Sequence, residues 1–173
     1  RHICDFSIKK HMESKKNVVL VGMMGSGKST VGHLISKKLN INFIDTDTLI
    51  EKVTKMKISE IFSKKSEKYF RDLEEEITIE SLGSTNTVIS LGGGAFINKT
   101  IRTEVIKHNF SFWLNLDAPT ILKRIKKNKK RPIVLKLKDD ELIKLIETRA
   151  KIYSKAKFKI DCKNLSKAEI VKK

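Results

Sequence analysis

An α/β fold with a mostly parallel sheet is predicted for this 173-residue chain by three observations. Short apolar runs alternate with helical stretches along the whole length. The first run, Asn17–Val21 (NVVLV), is continuous rather than alternating, as a strand covered on both faces requires. A glycine-rich turn follows it directly and opens a helical stretch from Lys28 to Leu39.

The remaining elements follow in order. Asn42–Asp45 reads as a second strand, Thr87–Leu91 (TVISL) as a third ending in Gly92-Gly93-Gly94, Phe110–Leu116 as a fourth and Phe158–Asp161 as a fifth. Between the second and third strands lies a long helical region, Thr48 to Ser81, interrupted near Lys55–Lys57 and Lys64–Ser66. Ala118–Asn128, Asp139–Tyr153 and Leu165–Lys172 are further helices. Lys126–Lys138 (KKNKKRPIVLKLK) is strongly basic and carries Pro132, one of only two prolines, so it reads either as a solvated loop or as a lid. Without repeats or a low-complexity linker, residues 17–173 are expected to form a single domain. Residues 1–16 are expected to be an N-terminal extension, disordered or vector-derived in part, with Met12 a candidate start. They lack the apolar stretch of a signal peptide.

Gly22–Thr30 (GMMGSGKST) fits G-x-x-x-x-G-K-[ST] through Gly22, Gly27, Lys28 and Ser29. Its place between a strand and a helix is the context that makes this pattern a phosphate loop. Backbone N–H groups around Gly25, Ser26 and Gly27 converge on phosphate oxygens, and the helix N-terminus adds partial positive charge. Lys28 is expected to reach the β- and γ-phosphates of ATP, and the Ser29 hydroxyl, next to Thr30, to ligate Mg²⁺. No guanine-reading N-K-x-D is present, and the chain is too short for a motor's accessory parts. Phosphoryl transfer to a small molecule is the reading that remains.

Downstream, Asp45 and Asp47 stand two apart in FIDTDTLIE. If the strand runs through both, they share one face; Asp47 could equally cap a helix beginning at Thr48. Two carboxylates beside phosphates can divide metal binding from proton acceptance. Arg71 and Glu74 in FRDLE are three apart on a helix, which suits an ion pair, of the surface kind or a functional one. Gly92–Gly94 would let a ligand approach the backbone. Arg131-Pro132 lies in the basic segment, and Arg149 precedes Tyr153 by four.

In these five ordered elements, GMMGSGKST, DTD, FRDLE, GGG, and RP with a later R-x-x-x-Y, the chain resembles the shikimate kinase family from about Lys16 to Lys172. The resemblance implies a three-layer P-loop kinase fold like that of nucleoside-monophosphate kinases. It would hold a five-stranded parallel sheet flanked by helices, a substrate-binding insertion at about 46–81 and a lid at about 126–138. It implies ATP- and Mg²⁺-dependent phosphorylation of the shikimate 3-hydroxyl, in chorismate and aromatic amino-acid synthesis. Asp47 resembles the carboxylate that holds the substrate diol and acts as base, and Asp45 the second acidic residue near Mg²⁺. Arg71 and Arg149 resemble the clamp on the substrate carboxylate, with Gly93 and Gly94 lining the same pocket. Arg131 resembles the lid arginine over the phosphates, Arg124 one beside the nucleotide, and Glu74 a partner that orients Arg71. One departure stands out: IDCKNLSK lacks the proline usual in the adenine-side loop, so the adenine contacts are expected only in the vicinity of Lys163 and Asn164. Gluconate kinase, a catalytically lost binding protein and a nucleic-acid module are the competing readings.

The net charge of +17 does not by itself favour nucleic acid. Thirty-one of the 37 basic residues are lysines spread through every segment, with no interleaved aromatics for base stacking. Specific nucleic-acid binding is not expected. Nor is a membrane span, since the longest apolar runs fall far short of about 20 residues. Cys4 and Cys162 lie far apart without metal-ligand spacing, which fits a reducing cytoplasm. A monomer is expected.

Overall fold

The computed structural model describes residues 16–127 and 137–173. Five strands, β1 (Val18–Val21), β2 (Asn42–Asp45), β3 (Thr87–Ser90), β4 (Phe110–Asn115) and β5 (Phe158–Asp161), form one sheet in the order β2-β3-β1-β4-β5. Every pairing is parallel. β1 is central, and its four aliphatic side chains are all buried. Val21 pairs with Trp113 across β4, and Asp45 with Ser90 across β2 and β3. The carboxyl ends of the inner strands therefore share one rim, where ligands of open parallel sheets bind.

The strand expected at Asn17–Val21 begins one residue later, because Asn17 clamps the opposite rim. Its buried amide donates to the carbonyls of Leu82 (3.1 Å) and Ser84 (2.8 Å), and its oxygen accepts from Thr87 N–H at 3.1 Å. Helices flank the sheet: α1 (Lys28–Leu39), α2 (Thr46–Thr54), α3 (Ile58–Lys64), α4 (Glu67–Leu82), α5 (Lys99–His108), α6 (Ala118–Lys127), α7 (Asp139–Tyr153) and α8 (Lys167–Lys172). α1 packs on β3 and α8, and α5 on β4 and α4.

The long helical region resolves into α2, α3 and α4, broken where the sequence suggested. Lys55 ends α2 at φ 55°, and Ser66 caps α4 by accepting from Tyr69 N–H at 3.1 Å. These helices carry their own small core of Ile50, Ile61, Phe70 and Ile77, apart from the main core around the sheet. Each such side chain contributes roughly 1.5–3 kcal/mol when fully buried. Leu49, Met56, Ile58, Phe62 and Leu73 pack around it.

Two sequence expectations for Asp45 and Asp47 are corrected here. β2 stops at Asp45 and α2 begins at Thr46, two residues earlier than expected. The cap is Asp45, whose Oδ1 accepts from Thr48 N–H at 3.0 Å, and Asp47 sits in the first turn. The reason is Thr46, which is fully buried. Its hydroxyl accepts from Gly92 N–H at 2.9 Å and donates to the Ser90 carbonyl at 3.4 Å. A side chain thus continues the β2–β3 ladder while the backbone turns into a helix. No helix among the described residues is long and apolar enough to cross a membrane.

Candidate active site

The site forms along the carboxyl rim from three turns, after β1, β2 and β3, and two helices, α4 and α7. After β1 the loop turns with Gly25 at φ 80° and Gly27 at φ 96°, left-handed conformations that cost glycine least. Gly27 leads into α1 with no side-chain cap, so the first N–H groups of that helix remain available to an anion. Lys28 is buried and folds over the loop, its Nζ donating to the Gly22 carbonyl (2.8 Å) and the Met23 carbonyl (3.1 Å). The Ser26 hydroxyl is buried inside the loop and meets no protein partner among the described residues. A buried polar group of that kind needs a partner, which a phosphate oxygen or a water can supply. Ser29 and Thr30 are exposed in the first turn of α1. Arg124 reaches the loop from α6, its Nη1 donating to the Gly25 carbonyl at 3.0 Å.

The turn after β3 meets the acidic side. A Cβ on Gly92 would lie 2.5 Å from Asp47 Oδ1 and 2.9 Å from Glu74 Oε1, so two carboxylates converge where only glycine fits. A Cβ on Gly94 would lie 2.5 Å from Arg71 Nη1. The same Nη1 donates to Glu74 Oε2 at 2.6 Å, while Arg71 Nε and Nη2 face Glu67 Oε1 at 3.4 and 3.3 Å. Glu74 is buried and Glu67 exposed, so the guanidinium has one fixed anchor and one exchangeable partner. Burial pushes the Glu74 carboxyl above the usual range and nearby Asp47 adds to the rise, against the pull of Arg71 and Arg149.

Arg149 arrives from α7. Its Nη1 lies 3.5 Å from the Gly93 carbonyl and 3.9 Å from Met23 Sδ. Tyr153, one turn on, donates from its hydroxyl to the same Gly93 carbonyl and lies 4.0 Å from the same sulfur. Asp47, Arg71, Gly93, Gly94 and Arg149 are therefore gathered against the loop carrying Lys28, although they come from four parts of the chain. Lys163 and Asn164 follow β5, with Asn164 at φ 60°. Arg131 lies outside the described residues. Sequence reasoning flagged Gly92 within the triple glycine but missed Thr46 and Tyr153; R-x-x-x-Y was the one signal for the last.

The donors fit Mg²⁺. Ser29 offers a hydroxyl, and Asp45 keeps one carboxylate oxygen beyond the one that caps α2. No group of three or more His, Cys, Asp or Glu able to hold a metal ion occurs among the described residues. One or two hard oxygen ligands are the sparse set Mg²⁺ takes when phosphate oxygens and water supply the rest.

A family model described as shikimate kinase matches residues 24–173. The shikimate kinase of Persephonella marina is 41% identical over 156 residues, which are 90% of this chain and 94% of that protein. A solved shikimate kinase from Acinetobacter baumannii, in complex with shikimate, has a TM-score of 0.87 at 29% identity, covering 94% of this chain and 92% of its own. That of Aquifex aeolicus gives 0.81 at 40% identity, with 90% and 92% covered. Motif order, rim geometry and these likenesses agree, and the chain belongs to the shikimate kinase family.

Proposed function

We propose that this enzyme transfers the γ-phosphoryl group of ATP to the 3-hydroxyl of shikimate, a step of chorismate and aromatic amino-acid synthesis. The observation that carries this reading is the convergence of Arg71, Arg149, Asp47 and the Gly92–Gly94 turn beside the phosphate loop. A monocarboxylate with neighbouring hydroxyls needs a guanidinium clamp at one end and a carboxylate at the other.

Asp47 accepts the hydroxyl proton as the acceptor oxygen bonds to the γ-phosphorus. The bond from that phosphorus to the β,γ-bridging oxygen breaks, and ADP leaves with its electron pair. Lys28 swings from its loop carbonyls to the β- and γ-phosphates, and the Ser26 hydroxyl and the N–H groups of Gly25 and Gly27 hold phosphate oxygens. Arg124 stays beside the nucleotide, and Arg131 is assigned to the phosphates from the lid. Ser29 and Asp45 would hold Mg²⁺ together with nucleotide oxygens, and the bound ion would supply neutralisation of phosphate charge. At the other end the acceptor carboxylate displaces the exposed Glu67 from Arg71 while buried Glu74 keeps the guanidinium in place.

A monomer in the cytoplasm completes the proposal. The exposed large apolar side chains, such as Leu34, Val53, Tyr69 and Phe158, come from separate elements, and the Cys162 thiol is buried and pushed up to about 11, which keeps it protonated.

The test is a double cycle: the unchanged enzyme and Arg71→Ala, each with shikimate and with a neutral analogue of its carboxylate. Charge-assisted hydrogen bonds contribute roughly 1.5–3 kcal/mol each, so Arg71→Ala lowers shikimate kcat/KM by on the order of 10²-fold. ATP KM stays put, and discrimination against the analogue shrinks. Equal losses on both acceptors would refute the clamp, and ADP release with gluconate but not shikimate would overturn the acceptor.

A further inference from the structure

Tyr153 is the largest of the fully buried side chains among the described residues, yet its hydroxyl ends in the active site and not in the core. The Gly93 carbonyl it meets belongs to the peptide joining Gly93 to Gly94. In a trans peptide the C=O and the N–H point in opposite directions. A bond that draws the oxygen toward α7 therefore aims the Gly94 N–H away from it. Gly94 borders Arg71, whose Nη1 would touch a Cβ there, so the residue that carries this N–H sits beside the guanidinium. Among the described residues it donates to no protein acceptor.

Arg149 competes for the same carbonyl. Its Nη1 is 3.5 Å away, at the limit of a hydrogen bond, while the tyrosine makes the close one. Both side chains also reach Met23 Sδ in the phosphate loop, so one helical turn of α7 spans the two halves of the site. The Tyr153 ring is held separately, with its centroid 6.3 Å from that of Trp113.

We propose that Tyr153 is a positioning residue for the acceptor: its hydroxyl pins the Gly93 carbonyl, aims the Gly94 N–H at the acceptor carboxylate and leaves the Arg149 guanidinium for that carboxylate. The assignment rests on the acceptor reading above. Without the hydroxyl, Arg149 is the remaining side-chain donor to this buried carbonyl among the described residues and is drawn onto it. The acceptor then loses an oriented N–H and part of a guanidinium together.

Tyr153→Phe tests this, since the ring and its packing on Trp113 remain. Shikimate KM rises on the order of tenfold, the cost of one well-oriented hydrogen bond, while kcat and ATP KM change far less. The neutral analogue loses little, so discrimination for the carboxylate falls. In the Arg149→Ala background the same substitution adds less than it does in the unchanged enzyme, because the guanidinium part of its effect is already gone. A lowered Tm with shikimate KM unchanged, or equal losses on both acceptors, would show that Tyr153 only packs. If Tyr153→Phe is silent while Arg149→Ala raises shikimate KM, the proposal falls and the acceptor reading stands. If neither moves it, both fall.

Discussion

Glu74 is the side chain whose ionisation the fold distorts most clearly within the site. Its carboxyl is pushed up by burial and by Asp47, so the folded state holds its proton to higher pH than the unfolded chain does. Native protein then binds more protons in the window between the ordinary glutamate range and the raised folded value, and this group's contribution to stability is lost as pH rises through that window. Glu74→Gln removes the titration. The Tm of this variant relative to the unchanged enzyme should climb as pH rises across the window, in thermal melts at a series of pH values; a difference independent of pH would mean that Glu74 is not titrating there. The activity consequence runs the other way, because Arg71 loses its buried anchor. At this scale the sequence was legible where chemistry is local. Lys28 and Ser29 follow from one nine-residue pattern, and Arg71 with Glu74 from one helical turn. Thr46 and Tyr153 were not, since their partners lie 46 and 60 residues away and are backbone groups that any residue could supply.

Among elements, the β2–α2 junction gives Asp45 the duty of capping a helix, beside the metal-binding duty proposed for it. The two can be separated, because asparagine caps as well as aspartate does whereas alanine does not. Asp45→Asn should keep its Tm within a degree or two yet lose most of its activity. Asp45→Ala should lose that activity and also about 1 kcal/mol of stability, read from denaturant melts beside turnover. Full activity in Asp45→Asn would remove the metal role and leave the cap. Strand and helix existence was readable because β1 is uniformly apolar and the breaks in the long helical region carry lysines and serines. The start of α2 was not, because a buried threonine hydroxyl in place of a ladder bond leaves no periodic trace.

For the whole molecule, net charge is the property most open to misreading. Lysines at 57, 64, 68, 126 and 159 each pair with a carboxylate, on α2, α3, α4, α7 and β5 respectively, so these cations are distributed and locally compensated. Exposed pairs of this kind add little stability, about 0–1 kcal/mol each. They do predict that association with random duplex DNA is weak and vanishes by physiological salt, as counterion release requires. Fluorescence anisotropy across a salt series measures this, and sequence-selective binding that survives would reopen a nucleic-acid role. The parallel sheet was legible from alternation alone, but its order was not, since nothing in β1 says which runs will flank it.

That order has a temporal side. The central strand takes both neighbours from far along the chain, β3 and β4, and the Asn17 clamp closes on residues 65 to 70 positions later. During synthesis β1 emerges first and waits through α1, β2 and the whole α2–α4 segment before a partner exists. Loops that long must close before any pairing compensates them, which slows folding. The nascent chain therefore carries an uncovered VVLV strand for much of its translation, and the self-contained core of α2–α4 has its apolar side chains ready to pack before β3 leaves the ribosome.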